Sequence, residues 1–168
     1  MKLGVICDGI SRDLSHALRV MDEFGLDYAE LQFVWDKEVG DHDASEIAQI
    51  KELLDTHNKP VSCLSRHIFA GLTTASKAGD KDHSRHMDYL KRVIEMAHQL
   101  NCPLVRIMTS KKEQILWGTN GAEHWNVAKG AWDTLPPLIA PAVDLARTEG
   151  VTLVVETGNG TMVNSNYT

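Results

Sequence analysis

The chain has 168 residues, a net charge of −6 and no clustering of its lysines and arginines, which argues against a nucleic-acid-binding surface. Hydrophobic residues make up 43% and charged residues 24%, the balance of a single globular domain with a real core rather than a disordered segment. No apolar run approaches the ~18 residues that would suggest a membrane span. The first apolar run, Leu3 to Cys7, ends at Asp8 and is too short for a secretory signal. Cys7, Cys63 and Cys102 form no CxxC pair, and an odd count builds no disulfide framework, so reduced thiols and a cytoplasmic location are expected. Asn159-Gly160-Thr161 and Asn166-Tyr167-Thr168 fit the glycosylation pattern and are read as chance matches.

Leu3 to Cys7 reads as a first strand. Leu14 to Phe24 reads as a helix, with Leu14, Ala17, Leu18, Met21 and Phe24 at three-to-four spacing, Ser11 or Asp13 as cap, and Gly25 as stop. Tyr28 to Val34 is a second strand and Ala44 to Thr56 a second helix. Pro60 leads into a third strand, Val61 to Ser65. A polar stretch from about His67 to Asp82 is long for a loop and reads as a functional crossover. His86 to Leu100 is a helix with Leu90, Val93, Ile94, Ala97 and Leu100 on one face. Pro103 opens a fourth strand, Leu104 to Thr109. A second long segment holds Trp117, Gly118, Asn120-Gly121 and Trp125. Leu135 to Thr148 is a helix, with Pro136 and Pro137 in its first turn and Pro141 at a kink. Val151 to Glu156 is a fifth strand.

Helices between every pair of strands imply parallel strands with right-handed crossovers, hence a doubly wound sheet or a barrel. A dinucleotide fold wants a Gly-rich turn after strand one, where Asp8-Gly9-Ile10 offers one glycine, and no Walker A sequence exists. A flavodoxin-like fold usually ends on a helix covering its last strand. A whole barrel takes about 250 residues, so the expectation is the N-terminal five strands of a (β/α)8 TIM barrel, residues 1–168 forming one domain with three βα units missing.

In a barrel, catalytic groups sit where strands run into the loops that follow them. Alternation along strand two puts Glu30 and Gln32 on the interior face, and alternation along strand four does the same for Arg106. Glu156 ends an otherwise apolar strand just before Thr157-Gly158-Asn159-Gly160. Charges that deep need partners, and the alternative to a site is a buried ion-pair network without chemistry. His67 follows strand three, either as a substrate contact or as an ordinary loop histidine. Trp35, Trp117 and Trp125 offer an aromatic wall for a sugar ring, or pack the long loops. Trp132 reads as structural. His83-Ser84-Arg85-His86 has HxxH spacing, but among Asp80, Lys81 and Asp82 it reads better as a solvated helix start.

Four stretches resemble one family. Gly150-Val151-Thr152-Leu153-Val154-Val155-Glu156-Thr157 looks like the fifth strand of the xylose isomerase-like sugar isomerase/epimerase barrels. Gly25-Leu26-Asp27-Tyr28-Ala29-Glu30-Leu31 is similar to their second strand. The segment from Arg85 to Ile94 is similar to their third helix, and Leu100 to Ile107 to the turn into their fourth strand. The resemblance implies a divalent metal (Mn, Mg, Co or Zn) at the barrel mouth, with Glu156 as first ligand and possible base. The remaining ligands are then expected beyond Thr168, which leaves residues 1–168 inactive alone. It implies isomerisation or epimerisation of a small sugar, sugar phosphate or hydroxy-keto compound by proton transfer next to a carbonyl. Glu30, Gln32, Trp35, His67 and Arg106 then line the substrate pocket.

Three other readings stay open: a polyol dehydratase, a non-catalytic half-barrel completed by self-association into a homo-oligomer, and an apurinic endonuclease. The last wants a histidine after strand four, where this chain reads Met108-Thr109-Ser110-Lys111. The expected partner is a small carbohydrate, with neither nucleic acid nor membrane.

Overall fold

The computed structural model describes residues 1–111, 121–158 and 161–163, with backbone alone over 121–131. The elements run β1 (Gly4–Ile6), a 3₁₀ turn (Cys7–Gly9), α1 (Leu14–Glu23), β2 (Tyr28–Leu31), β3 (Phe33–Val34), β4 (Lys37–Glu38), α2 (Ala44–Thr56), β5 (Val61–Ser65), α3 (Lys81–Gln99), β6 (Leu104–Ile107), α4 (Gly121–Glu149) and β7 (Thr152–Val155). Five strands form one parallel sheet in the order β1-β2-β5-β6-β7. This is the expected run of five neighbouring barrel strands: each helix returns the chain so that the next strand adds beside the last. Among the described residues no helix is long and apolar enough to cross a membrane.

The helices cover one face of the sheet. Ala29, Leu31, Leu64 and Val105 are fully buried there and Ile107 nearly so, in one core with Leu18 and Met21 of α1, Ile50 of α2 and Leu90 and Val93 of α3. The cap of α1 is Asp13, which accepts from the His16 N–H. Asp43 and Glu46 form a reciprocal capping box on α2, and Asp80 accepts from the His83 N–H at the start of α3. Each cap satisfies N–H groups that the first helical turn leaves without partners.

The expected second strand, Tyr28 to Val34, is two elements. β2 ends at Leu31, and Phe33–Val34 turns back through Trp35 and Asp36 to pair antiparallel with Lys37–Glu38. Trp35 takes φ +54° at the first position of this two-residue turn. Gly40, at φ +87°, then lets the chain lie against α3, where an added Cβ would stand 2.8 Å from a Val93 methyl.

The third helix starts at Lys81 rather than His86. His83 and His86 are buried, not solvated, and face the packed side of α3, while Lys81, Asp82, Ser84 and Arg85 around them are exposed. The fourth helix runs from Gly121, well before the expected Leu135, and holds Pro136, Pro137 and Pro141 inside it. Leu138, Ala142 and Ala146 are buried along it, so packing maintains the helix past residues that remove its hydrogen bonds. Trp117 lies outside the described residues, and of Trp125 only the backbone, within α4, is described.

Candidate active site

The carboxyl ends of β2, β5, β6 and β7 open on one side of the sheet, and the loops leaving them are tied together. The Met108 N–H donates to Ile68 O (2.8 Å) and the Lys111 N–H to Leu72 O (2.6 Å), joining the loops after β6 and β5. The Met162 N–H donates to Ser110 O (2.9 Å) and the Val163 N–H to Thr109 Oγ1 (3.0 Å), joining those after β7 and β6.

Two polar groups lie on the face away from the helices. The first is Glu30 of β2, half-buried, whose Oε1 accepts from Ser65 Oγ at 2.5 Å. Ser65 is fully buried and is the register partner of Arg106 on β6. The second is Arg106 itself, whose Nη1 donates to Glu156 Oε2 one residue beyond β7. Arg106 pairs in register with Val154, so Glu156 emerges on the same face one side chain further along. The Arg106 side chain is 10% exposed and that of Glu156 44%. Nε and Nη2 of Arg106 are buried without a hydrogen-bond partner among the described residues.

A further cluster surrounds His67. Its Nδ1 lies 2.8 Å from Glu38 Oε1, and the same oxygen accepts from the His67 backbone N–H at 3.1 Å. The Gln32 amide nitrogen lies 3.2 Å from Nδ1 and 3.1 Å from Nε2. Phe33 flanks the imidazole at 6.4 Å, with the Arg12 guanidinium 4.6 Å from the Phe33 ring centre. Behind the cluster, Arg66 is held by Asp41 (2.7 Å) and Val39 O (2.6 Å) and lies over the Tyr89 ring. Burial raises the Asp41 carboxyl, and hydrogen bonds from Arg66 and Arg92 outweigh it and leave the group below its ordinary range.

The structure therefore brings Gln32 together with His67, and Arg106 together with Glu156, on the carboxyl-end side of neighbouring strands. Trp35 stands apart from both pairs: it is half-buried against the core, edge-on to His42 at 6.0 Å. Glu38 was missed by sequence reasoning, because it belongs to a two-residue strand in a polar run with no periodicity.

The HxxH pair is no chelate. His83 Nδ1 accepts from the Gly79 N–H and its Nε2 donates to Leu138 O, while His86 Nδ1 accepts from the Phe69 N–H. The buried thiols are poor nucleophiles, since burial pushes Cys7 up to about 12 and Cys63 up to about 11. Among the described residues no three His, Cys, Asp or Glu side chains converge as a metal site. Glu156 fits as one ligand of a divalent ion, but the described residues do not make a complete set.

A family model described as the xylose isomerase-like TIM barrel matches residues 18–168. The chain belongs to that family. The IOLI protein, solved with a bound zinc atom, is 20% identical with a TM-score of 0.63, the match covering 98% of this chain and 55% of that one. D-allulose 3-epimerase from Methylomonas sp., solved with D-allulose, is 15% identical with a TM-score of 0.57, covering 98% of this chain and 54% of that one. AP endonuclease, family 2, from Brucella melitensis is 15% identical with a TM-score of 0.61, covering 97% and 60%. At such identities these likenesses show the fold. The chain spans about half the length of these structures. No curated protein matches it by sequence.

Proposed function

We propose that this chain is the substrate-binding part of a divalent metal-dependent isomerase or epimerase acting on a small sugar, sugar phosphate or hydroxy-keto compound. The observation that carries the reading is Glu156, a half-exposed carboxylate tethered by buried Arg106 at the carboxyl end of β7. A carboxylate there can ligate a metal or move a proton next to a carbonyl. The zinc and the D-allulose of the two similar structures support the metal and the substrate class. Among the described residues no complete ligand set converges, so the reading needs further ligands besides Glu156. A bound divalent ion would polarise the sugar's carbonyl oxygen.

The chain's own residues do the rest. Gln32 and His67 receive hydroxyl groups at the mouth, Glu30 and Arg106 line the deeper wall, and Trp35 supports the rim. Arg106 holds one oxygen of Glu156 and leaves the other for metal or proton. The test is to incubate the natural gene product with Mn²⁺ and a panel of ketohexoses, ketose phosphates and cyclic hydroxy-ketones and analyse the products chromatographically. Metal-dependent conversion between epimers or between ketose and aldose is expected. No conversion of any of these compounds with Mn²⁺, Mg²⁺, Co²⁺ or Zn²⁺ would overturn the reading.

A second reading, a half-barrel that works by self-association, is favoured by one surface. Trp132, Val143 and Val155 are exposed beside a groove of about 540 Å³ between α4 and β7. A larger mass at higher concentration in sedimentation supports that reading, and a monomer throughout removes it.

A further inference from the structure

The hairpin β3–β4 places a carboxylate behind the one half-exposed histidine among the described residues of the strand-end loops. Glu38 is paired in register with Phe33, so its backbone is fixed by the hairpin. Its side chain is 17% exposed, and its Oε2 lies 3.4 Å from the buried Arg66 guanidinium. Its Oε1 accepts from both the backbone N–H and Nδ1 of His67. A carboxylate has no proton to give, so the hydrogen on this contact belongs to Nδ1. In a neutral imidazole the other nitrogen is then an acceptor. The Gln32 amide nitrogen, itself a donor, also faces the ring. That nitrogen is almost equidistant from Nδ1 and Nε2, so it lies across the ring's Nδ1–Nε2 side rather than along the Nε2 lone pair. The His67 side chain is half-exposed, and the chain after it is held by Phe69, whose N–H donates to buried His86.

We propose that Glu38 is a positioning residue, which holds His67 as the Nδ1–H tautomer so that Nε2 accepts a hydrogen bond from a hydroxyl group of a polyol or ketose. The ligand class rests on the function proposed above; the tautomer does not. No bond is made or broken in this step: one hydroxyl of the ligand exchanges water for Nε2, and the Gln32 amide donates to the same or the neighbouring oxygen. Fixing an imidazole from behind through a carboxylate is a general way to set which nitrogen faces a ligand.

The test is long-range ¹H–¹⁵N correlation of the ¹⁵N-labelled chain at mildly alkaline pH, with His67 assigned by its loss in His67→Asn. One protonated Nδ1 and one bare Nε2 signal are expected for His67. In Glu38→Ala the two signals should move toward a common average. In Glu38→Gln, whose amide oxygen can still accept, they should stay apart. An unchanged amide spectrum for α1 and α2 shows that either variant is folded. Adding a ketohexose should shift the Nε2 signal of the wild type and much less that of Glu38→Ala. A His67 that carries its proton on Nε2, or keeps its tautomer in Glu38→Ala, overturns the proposal. A fixed tautomer that no ketohexose shifts overturns the hydroxyl-acceptor role. Should the sugar shift Nε2 while the conversion assay stays blank, the isomerase reading fails and this inference stands.

Discussion

Arg106 and Glu156 form an asymmetric pair: the guanidinium is buried in the sheet interior and the carboxylate it holds is half in solvent. Two of the guanidinium's nitrogen groups have no partner among the described residues, so the pair is an expense to the fold as well as a tether.

The pair's cost gives the first prediction. Arg106→Met keeps the volume, removes two orphaned donors and leaves Glu156 to water. Stability by denaturant unfolding should be unchanged or raised by up to about 2 kcal/mol. A clear loss would show that the ion pair stabilises the fold rather than serving the site.

Gly40→Ala should be costly although the residue is small. At φ +87° an L side chain is strained, and its Cβ would meet the Val93 methyl at 2.8 Å. A loss of about 1–3 kcal/mol is expected in thermal unfolding. The same variant should disturb the His67 ring signals, because Gly40 anchors the hairpin that carries Glu38. Wild-type stability in Gly40→Ala would contradict this account of the hairpin's seat.

Acid should loosen the crossover after β5. Burial, with a smaller effect of Arg85, holds the His86 imidazole below its ordinary 6.5, and its Nδ1 accepts from the Phe69 N–H. The folded form therefore binds the proton less well than the unfolded chain. The contribution is full above about 6.5 and is lost as the pH falls from there toward the folded value. The melting temperature should decline across that window, and the decline should be shallower in His86→Asn, whose amide oxygen can replace Nδ1 as acceptor without titrating. Equal slopes in the two proteins would remove His86 as the cause.

Periodicity in the sequence was enough for the parallel order of five strands, because Ala29, Leu31, Leu64 and Val105 mark one buried face and Leu14 to Met21 or Leu90 to Ala97 mark the helices that cover it. The same alternation pointed to the interior face for Glu30 and Arg106. The hairpin was not legible: Phe33-Val34 extends the pattern of β2, and Lys37-Glu38 carries no apolar residue, so its pairing is set by tertiary packing. The start of α3 was missed because His83, stacked on Phe69 at 5.7 Å, plays the part of an apolar residue. The prolines of α4 read as a helix start, while burial of Leu138, Ala142 and Ala146 extends the helix through them. The contact of Glu38 with His67 joins residues 29 positions apart, and no local pattern encodes it.

The central claim is that Glu156 serves proton transfer next to a sugar carbonyl. The most direct measurement is deuterium incorporation into a ketohexose in D₂O with Mn²⁺, followed by NMR, for the natural gene product and its Glu156→Gln variant. The account predicts incorporation at the carbon beside the carbonyl with the wild type, dependent on added metal and lowered at least about a hundredfold in the variant. Exchange by Glu156→Gln at the wild-type rate, or none by either protein, would contradict it.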